Sequence, residues 1–112
     1  MHAKEFVEKF ASSMDVNTTE IADLVEILYS NGNVFFEEVM TLLQKRHELS
    51  TGKNCTVREI SSKVWNALFW QAKFASRKGE NKISKRIMKV IFDGSETLPW
   101  EYPRPDYDFL TY

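Results

Sequence analysis

The stretch from Thr56 to Phe74 constrains this chain more than any other. Val57, Ile60, Val64, Leu68 and Ala72 recur in steps of three and four, the spacing of one helical face. Trp65, Phe69, Trp70 and Phe74 carry the apolar surface around much of the circumference. A helix of that kind has to be enclosed, so the pattern predicts a long central helix with other elements packed around it. Its start is legible too. Thr56-Val57-Arg58-Glu59 is a capping box, in which Thr56 accepts from the Glu59 backbone while the Glu59 side chain reaches back.

Shorter helical patterns flank it. Phe6, Phe10 and Met14, with Ala3, Val7 and Ala11 beside them, predict a first helix over about residues 2–14. Asn17-Thr18-Thr19-Glu20 starts a second, striped by Ile21, Leu24, Val25 and Leu28 and stopped at Ser30-Asn31-Gly32-Asn33. Phe36, Val39, Met40 and Leu43 give a third, with Phe35 and Leu42 widening its stripe. It is expected to end near His47 to Leu49, placing Lys45, Arg46 and His47 in its last turn, where exposed carbonyls favour positive charge. After a break at Arg77-Lys78-Gly79-Glu80-Asn81, Ile83, Ile87, Val90 and Ile91 give a fifth, ending at Asp93-Gly94. Pro99, Pro103 and Pro105 then remove amide donors and push their predecessors away from helix. The expected fold is all-α: a compact bundle of about five helices over 1–94, followed by an extended acidic, Pro/aromatic tail over 95–112. At 112 residues, one core is expected.

No run approaches the length of a membrane-spanning helix, and Met1-His2-Ala3-Lys4-Glu5 lacks the basic-then-apolar pattern of a signal peptide. The single cysteine, Cys55, has no intramolecular disulfide partner, which fits a reducing compartment. The expectation is a cytoplasmic protein that does not bind membranes.

Catalytic and metal chemistry find little support. His2 and His47 are the only histidines, and neither falls in a metal-ligand or Cys–His pattern. All four glycines lie at predicted helix ends or in loops, so no loop is built to cradle phosphate. Glu37 and Glu38 are adjacent and diverge on a helix, which is poor geometry for shared acid–base work. No catalytic, cofactor-binding or metal site is expected, and the chain reads as a non-enzyme.

Charge carries more information. The formal net charge of −1 conceals a division into segments. Residues 1–50 hold four Lys/Arg against nine Asp/Glu, residues 51–92 hold ten against two, and residues 93–112 hold one against five. The strongly basic middle excludes a mimic of the DNA duplex, which needs dense negative charge. Lys73, Arg77, Lys78, Lys82, Lys85, Arg86 and Lys89 surround the turn between the fourth and fifth helices, where they form a candidate surface for an acidic protein or for nucleic acid. Trp70 and Phe74 lie close enough to stack on unpaired bases, although their place on an apolar helix favours core packing. The competing reading is a solvated helix face, or one neutralised by the acidic first half. Thr56-Val57-Arg58-Glu59-Ile60-Ser61 is similar to the entrance of a helix-turn-helix, but the helix runs on to Phe74 without the required turn. A homo-oligomer that buries the surplus apolar surface of the fourth helix is a further possibility.

The tail is the second feature of interest. Trp100, Tyr102, Tyr107, Phe109, Leu110 and Tyr112 alternate with acids and prolines, and such aromatics gain by leaving water. Two readings follow. In one, the tail lies over its own domain as a proline-stiffened strap whose acids meet the basic surface. In the other, Trp100, Tyr102, Tyr107, Asp108, Phe109, Leu110 and Tyr112 bind a partner protein, with Asp108-Phe109-Leu110 and Tyr112 as the linear anchor. Over about four residues, Asp106 to Tyr112 resembles the C-terminal Asp-Phe-Leu peptides by which T4-type phage polymerases and late-transcription factors hold their sliding clamp. That resemblance implies a clamp-binding regulator. The leading expectation from the residues is a small interaction or regulatory protein that uses the tail, the basic region or both.

Overall fold

The computed structural model describes residues 1–94 and 107–110. Among the described residues, five helices make up a compact all-helical globule: α1 Ala3–Ser13, α2 Thr18–Ser30, α3 Gly32–Thr51, α4 Val57–Arg77 and α5 Asn81–Gly94. Among the described residues there is no strand, and no helix is long and apolar enough to cross a membrane.

The caps form where the sequence places them. Asn17 accepts from the Glu20 amide at 3.0 Å to open α2, and Thr56 accepts from the Glu59 amide at 3.1 Å to open α4. Each satisfies one of the donors that the first turn leaves unpaired. At the far end of α4, Gly79 takes a left-handed φ of 80°. Its amide then reaches Ser76 O at 3.0 Å while the Glu80 amide reaches Ala75 O at 2.8 Å, the paired closure of a Schellman turn. This reversal brings α5 back along α4, and the two helices form the most extensive pairing in the fold.

Helix α3 departs from expectation. It does not stop near His47 to Leu49 but runs to Thr51, where Gly52 closes it with a φ of 71° and an amide bond to Glu48 O. Nothing before Gly52 breaks a helix, so propagation continues until a residue tolerant of the left-handed conformation is reached. Lys45, Arg46 and His47 therefore lie within the helix rather than in its last turn, and His47 is buried.

The core gathers at α4. Ile60, Val64, Ala67, Leu68 and Ala72 are essentially inaccessible, as are Phe6 and Phe10 of α1, Ile21 and Leu24 of α2, Met40 and Leu43 of α3, and Ile87 and Ile91 of α5. Aromatic contacts tie the layers together. Phe35 meets Phe6 edge-on with ring centroids 5.7 Å apart, and Phe36 stacks on Trp65 at 6.2 Å, both within the range of favourable pairs. Trp70 and Phe74, expected in the core, are only half-buried.

Replacing Thr56 by Ala should destabilise the protein by about 1 kcal/mol, because the Glu59 amide loses its partner. Urea unfolding checks it, and an unchanged slope should accompany the shifted midpoint.

Candidate functional site

Two regions collect the residues singled out by the sequence. The first is built on a polar side chain inside the core. Gln71 follows Val64 and Leu68 and precedes Ala75 on one stripe of α4, and it has no exposed surface. A buried amide needs partners for its carbonyl and its amino group. Its Oε1 accepts from the Asp15 backbone amide at 3.1 Å, and its Nε2 donates to Asp15 Oδ1. Asp15 sits just beyond α1 with a φ of 63°, a conformation that Asp tolerates better than most residues. Tyr107 completes the group: its hydroxyl donates to Asp15 Oδ1 at 3.1 Å and lies 3.4 Å from Gln71 Nε2.

From Tyr107 the chain makes a tight turn, closed by the Leu110 amide on Tyr107 O at 2.9 Å. Phe109 is fully buried and Leu110 is 7% exposed, both within the main core. Asp108 lies between a histidine and a lysine. Its Oδ2 is 3.5 Å from His47 Nε2 of α3 and its Oδ1 is 3.8 Å from Lys63 Nζ of α4. Residues 107–110 therefore bridge the end of α1, α3 and α4 of their own domain. Trp100, Tyr102 and Tyr112 lie outside the described residues. The strap was expected to bring its acids to the basic surface, yet Asp108 meets Lys63 and His47 instead. Lys63 is half-buried and fourteen positions before Arg77, so Asp108 is held toward the start of α4 and away from the basic turn at its end.

His47 and Gln71 could have been found from the sequence. His47 continues the Met40–Leu43 stripe and Gln71 the Val64–Leu68 stripe, and a polar residue on an apolar stripe has to be partnered. His47 Nδ1 has no hydrogen-bond partner among the described residues. Cys55 lies close by, but burial and the carboxylates of Glu59 and Glu48 push its thiol up, the opposite of an activated nucleophile. Among the described residues, no group of His, Cys, Asp and Glu is arranged to hold a metal ion.

The second region is the α4–α5 turn. Lys73, Arg77, Lys78, Lys82, Lys85 and Lys89 are exposed, whereas Arg86 is half-buried and turned toward α2. Arg86 Nη2 pairs with Asp23 Oδ1 at 2.6 Å and with Glu26 Oε1, and its Nε donates to Glu26 Oε2 at 3.1 Å. The hydrogen bonds from Arg86 hold the Glu26 carboxyl below its ordinary value, against the opposing effect of burial. The same bonds, Glu26 first and Asp23 second, raise the guanidinium. Lys73 places its ammonium 5.3 Å from the Phe69 ring centroid and 4.9 Å from that of Trp70, within cation–π range. Glu80, the acid at this turn, is engaged by the Thr18 hydroxyl at 3.0 Å. Arg77, Lys78, Lys82, Lys85 and Lys89 make no ion pair with a described residue. Neutralisation by the acidic first half thus falls on Arg86 and leaves the rest of the cations at the surface.

An apolar groove that the sequence reading did not foresee lies between α1 and α3, with a volume of about 500 Å³ and a lining of Ala3, Val34, Glu37, Glu38, Thr41 and Leu42. Compared with models of known families, with curated proteins and with solved structures, the chain finds no match.

Tyr107→Phe should cost roughly 1–3 kcal/mol, the range for a hydrogen bond to a charged acceptor, and the loss should nearly vanish in an Asp15→Ala background. Thermal unfolding of the four chains closes that cycle. Glu26 titrates below its ordinary 4.5 when folded, so the stability it supplies is complete above that value and is lost as pH falls through the lower, folded value. Glu26→Gln should therefore flatten the acid limb of stability against pH, and leave the slope above pH ~6 unchanged.

Proposed function

We propose that this chain is a non-enzymatic cytoplasmic interaction protein that binds an acidic partner protein through the cations around the α4–α5 turn. The observation that supports this reading most is the contrast within one cluster. Arg86 is consumed by Asp23 and Glu26, while Arg77, Lys78, Lys82, Lys85 and Lys89 stand exposed without an ion pair to a described residue. Cations on two antiparallel helices joined by a rigid Schellman turn keep a fixed spacing. That geometry favours a specific acidic surface over diffuse attraction. The tail is the other surface that the sequence named. With Phe109 and Leu110 buried on their own domain, a tail anchor of the sliding-clamp kind is available only after the segment leaves its seat.

A second reading, nucleic acid, draws on one observation of its own. Trp70 is half-buried, with Lys73 over its ring and Arg77 one turn further along the same side of α4. An indole beside two cations is the combination that holds unpaired bases.

The Lys78→Glu, Lys82→Glu, Lys85→Glu, Lys89→Glu chain separates these readings. Affinity capture at about 150 mM salt, with and without nuclease, should recover a partner protein on the parent chain only. With that partner purified, binding to the variant should be at least tenfold weaker. Equal binding by the variant overturns the reading. If the captured material is lost to nuclease, and a labelled single-stranded oligonucleotide binds with a log–log salt slope of about −3 to −4, nucleic acid takes its place.

A further inference from the structure

We infer that the groove between α1 and α3 receives the exposed face of α5 from a second copy of this chain. The inference rests on the reading above in one respect, that Lys85 and Lys89 serve to meet an acidic protein surface, and it names such a surface on the chain itself.

Two exposed faces of one chain have the chemistry of a complementary pair. The acceptor is the groove, and no lysine or arginine stands among the six residues that line it. Its Val34 is 73% exposed, and Glu37 and Glu38 make no ion pair with a described residue. The donor is the outer face of α5. Lys82, Lys85, Lys89 and Phe92 recur in steps of three and four and so share one side of the helix, opposite the buried Ile87, Val90 and Ile91. Phe92 is 54% exposed, a large apolar ring that gains by leaving water. An apolar cleft bordered by carboxylates matches an aromatic anchor preceded by ammonium groups.

Dimensions and charge order agree as well. On α3, Val34 to Leu42 spans eight positions, about 12 Å of helix, and on α5 Lys85 to Phe92 spans seven, about 10 Å. With the two helices running in the same direction, Lys89 at the level of Glu38 brings Phe92 to the level of Thr41 and Leu42, and Lys85 reaches toward Glu37. The far ends match too. Lys45 continues the α3 face one turn beyond Thr41, and the exposed Asp93 follows Phe92 on α5. Running the helices in opposite directions would turn Lys85 toward Lys45, a like-charge contact that selects against that orientation.

Donor and acceptor are different faces, so the contact is heterologous. A copy that has given its α5 still holds an unused groove, and association continues until a ring closes. Six lining residues are far fewer than the roughly 20–30 a side of a stable interface. The contact is therefore weak and concentration-dependent, with a dissociation constant on the order of 100 μM.

Sedimentation equilibrium of the full chain at about 20 and about 500 μM, either side of that constant, tests the inference. The average mass should rise above that of the monomer at the higher concentration and fall back at about 500 mM salt. Two full-length variants, altered only at exposed positions, each remove one half of the contact. Phe92→Ser removes the anchor without changing charge, and Val34→Ser combined with Glu37→Gln and Glu38→Gln removes the acceptor. Each alone should keep the circular dichroism of the parent and associate at least tenfold more weakly. Mixed, they should form a one-to-one dimer and nothing larger, because one intact groove then meets one intact α5. A parent that stays monomeric at the higher concentration overturns the inference, as do variants that associate like the parent or a mixture no heavier than its parts. A monomeric parent that still captures an acidic protein overturns this inference alone and leaves the α4–α5 reading standing. Failure of that reading has another signature: capture of a foreign protein is unchanged in the Lys78→Glu, Lys82→Glu, Lys85→Glu, Lys89→Glu chain. Self-association that is unchanged in that chain overturns the present inference.

Discussion

A helix apolar around most of its circumference has to be shielded on most sides, and the architecture follows from how α4 is shielded. Helix α5 returns along it through the Schellman turn at Gly79, α2 and α3 add further walls, and Phe36 lays its ring over Trp65. One sector contains Gln71. There, apolar packing alone would strand an amide without water, at a cost of about 1–3 kcal/mol. The chain meets that need by bending Asp15 into a left-handed turn after α1 and by bringing Tyr107 from the far end of the sequence. The α1–α2 junction and the seat of the tail thus depend on the same buried side chain.

Much of the fold was legible because each level of the sequence agreed with the next. Asn17 and Thr56 announced helix starts, Gly79 and Gly94 fell at helix ends, and the stripes between them faced inward. The end of α3 was misplaced because three basic residues resembled a last turn, whereas helix propagation is stopped by backbone conformation and not by favourable charge. The site was less legible, for a reason of distance. Gln71 lies 56 positions from Asp15, and Asp108 lies 61 from His47. Local periodicity says that such residues need partners but does not say which ones. Trp70 and Phe74 show the complementary failure. Their apolar character suggested burial, but α4 has more aromatic surface than its neighbours cover, and these two are left at the edge.

The two candidate surfaces differ in physical kind. The α4–α5 turn presents charge on a rigid support, and its binding would depend on ionic strength and on the shape of an acidic partner. The seat of residues 107–110 instead buries Phe109 and Leu110 in the core and flanks them with polar contacts to Asp15, Gln71, His47 and Lys63.

The Arg86 bridge to Asp23 and Glu26 has an electrical consequence for the whole molecule. It draws one cation inward, toward the acidic helix α2, while Lys78, Lys82, Lys85 and Lys89 remain outside. Among the described residues, four lysines on α5 and the turn before it are thus left facing water, concentrating positive charge in one place on a chain whose formal charge is −1. Beyond the Debye length, about 8 Å at physiological salt, their field is screened. Closer in, it favours the approach of an anionic surface.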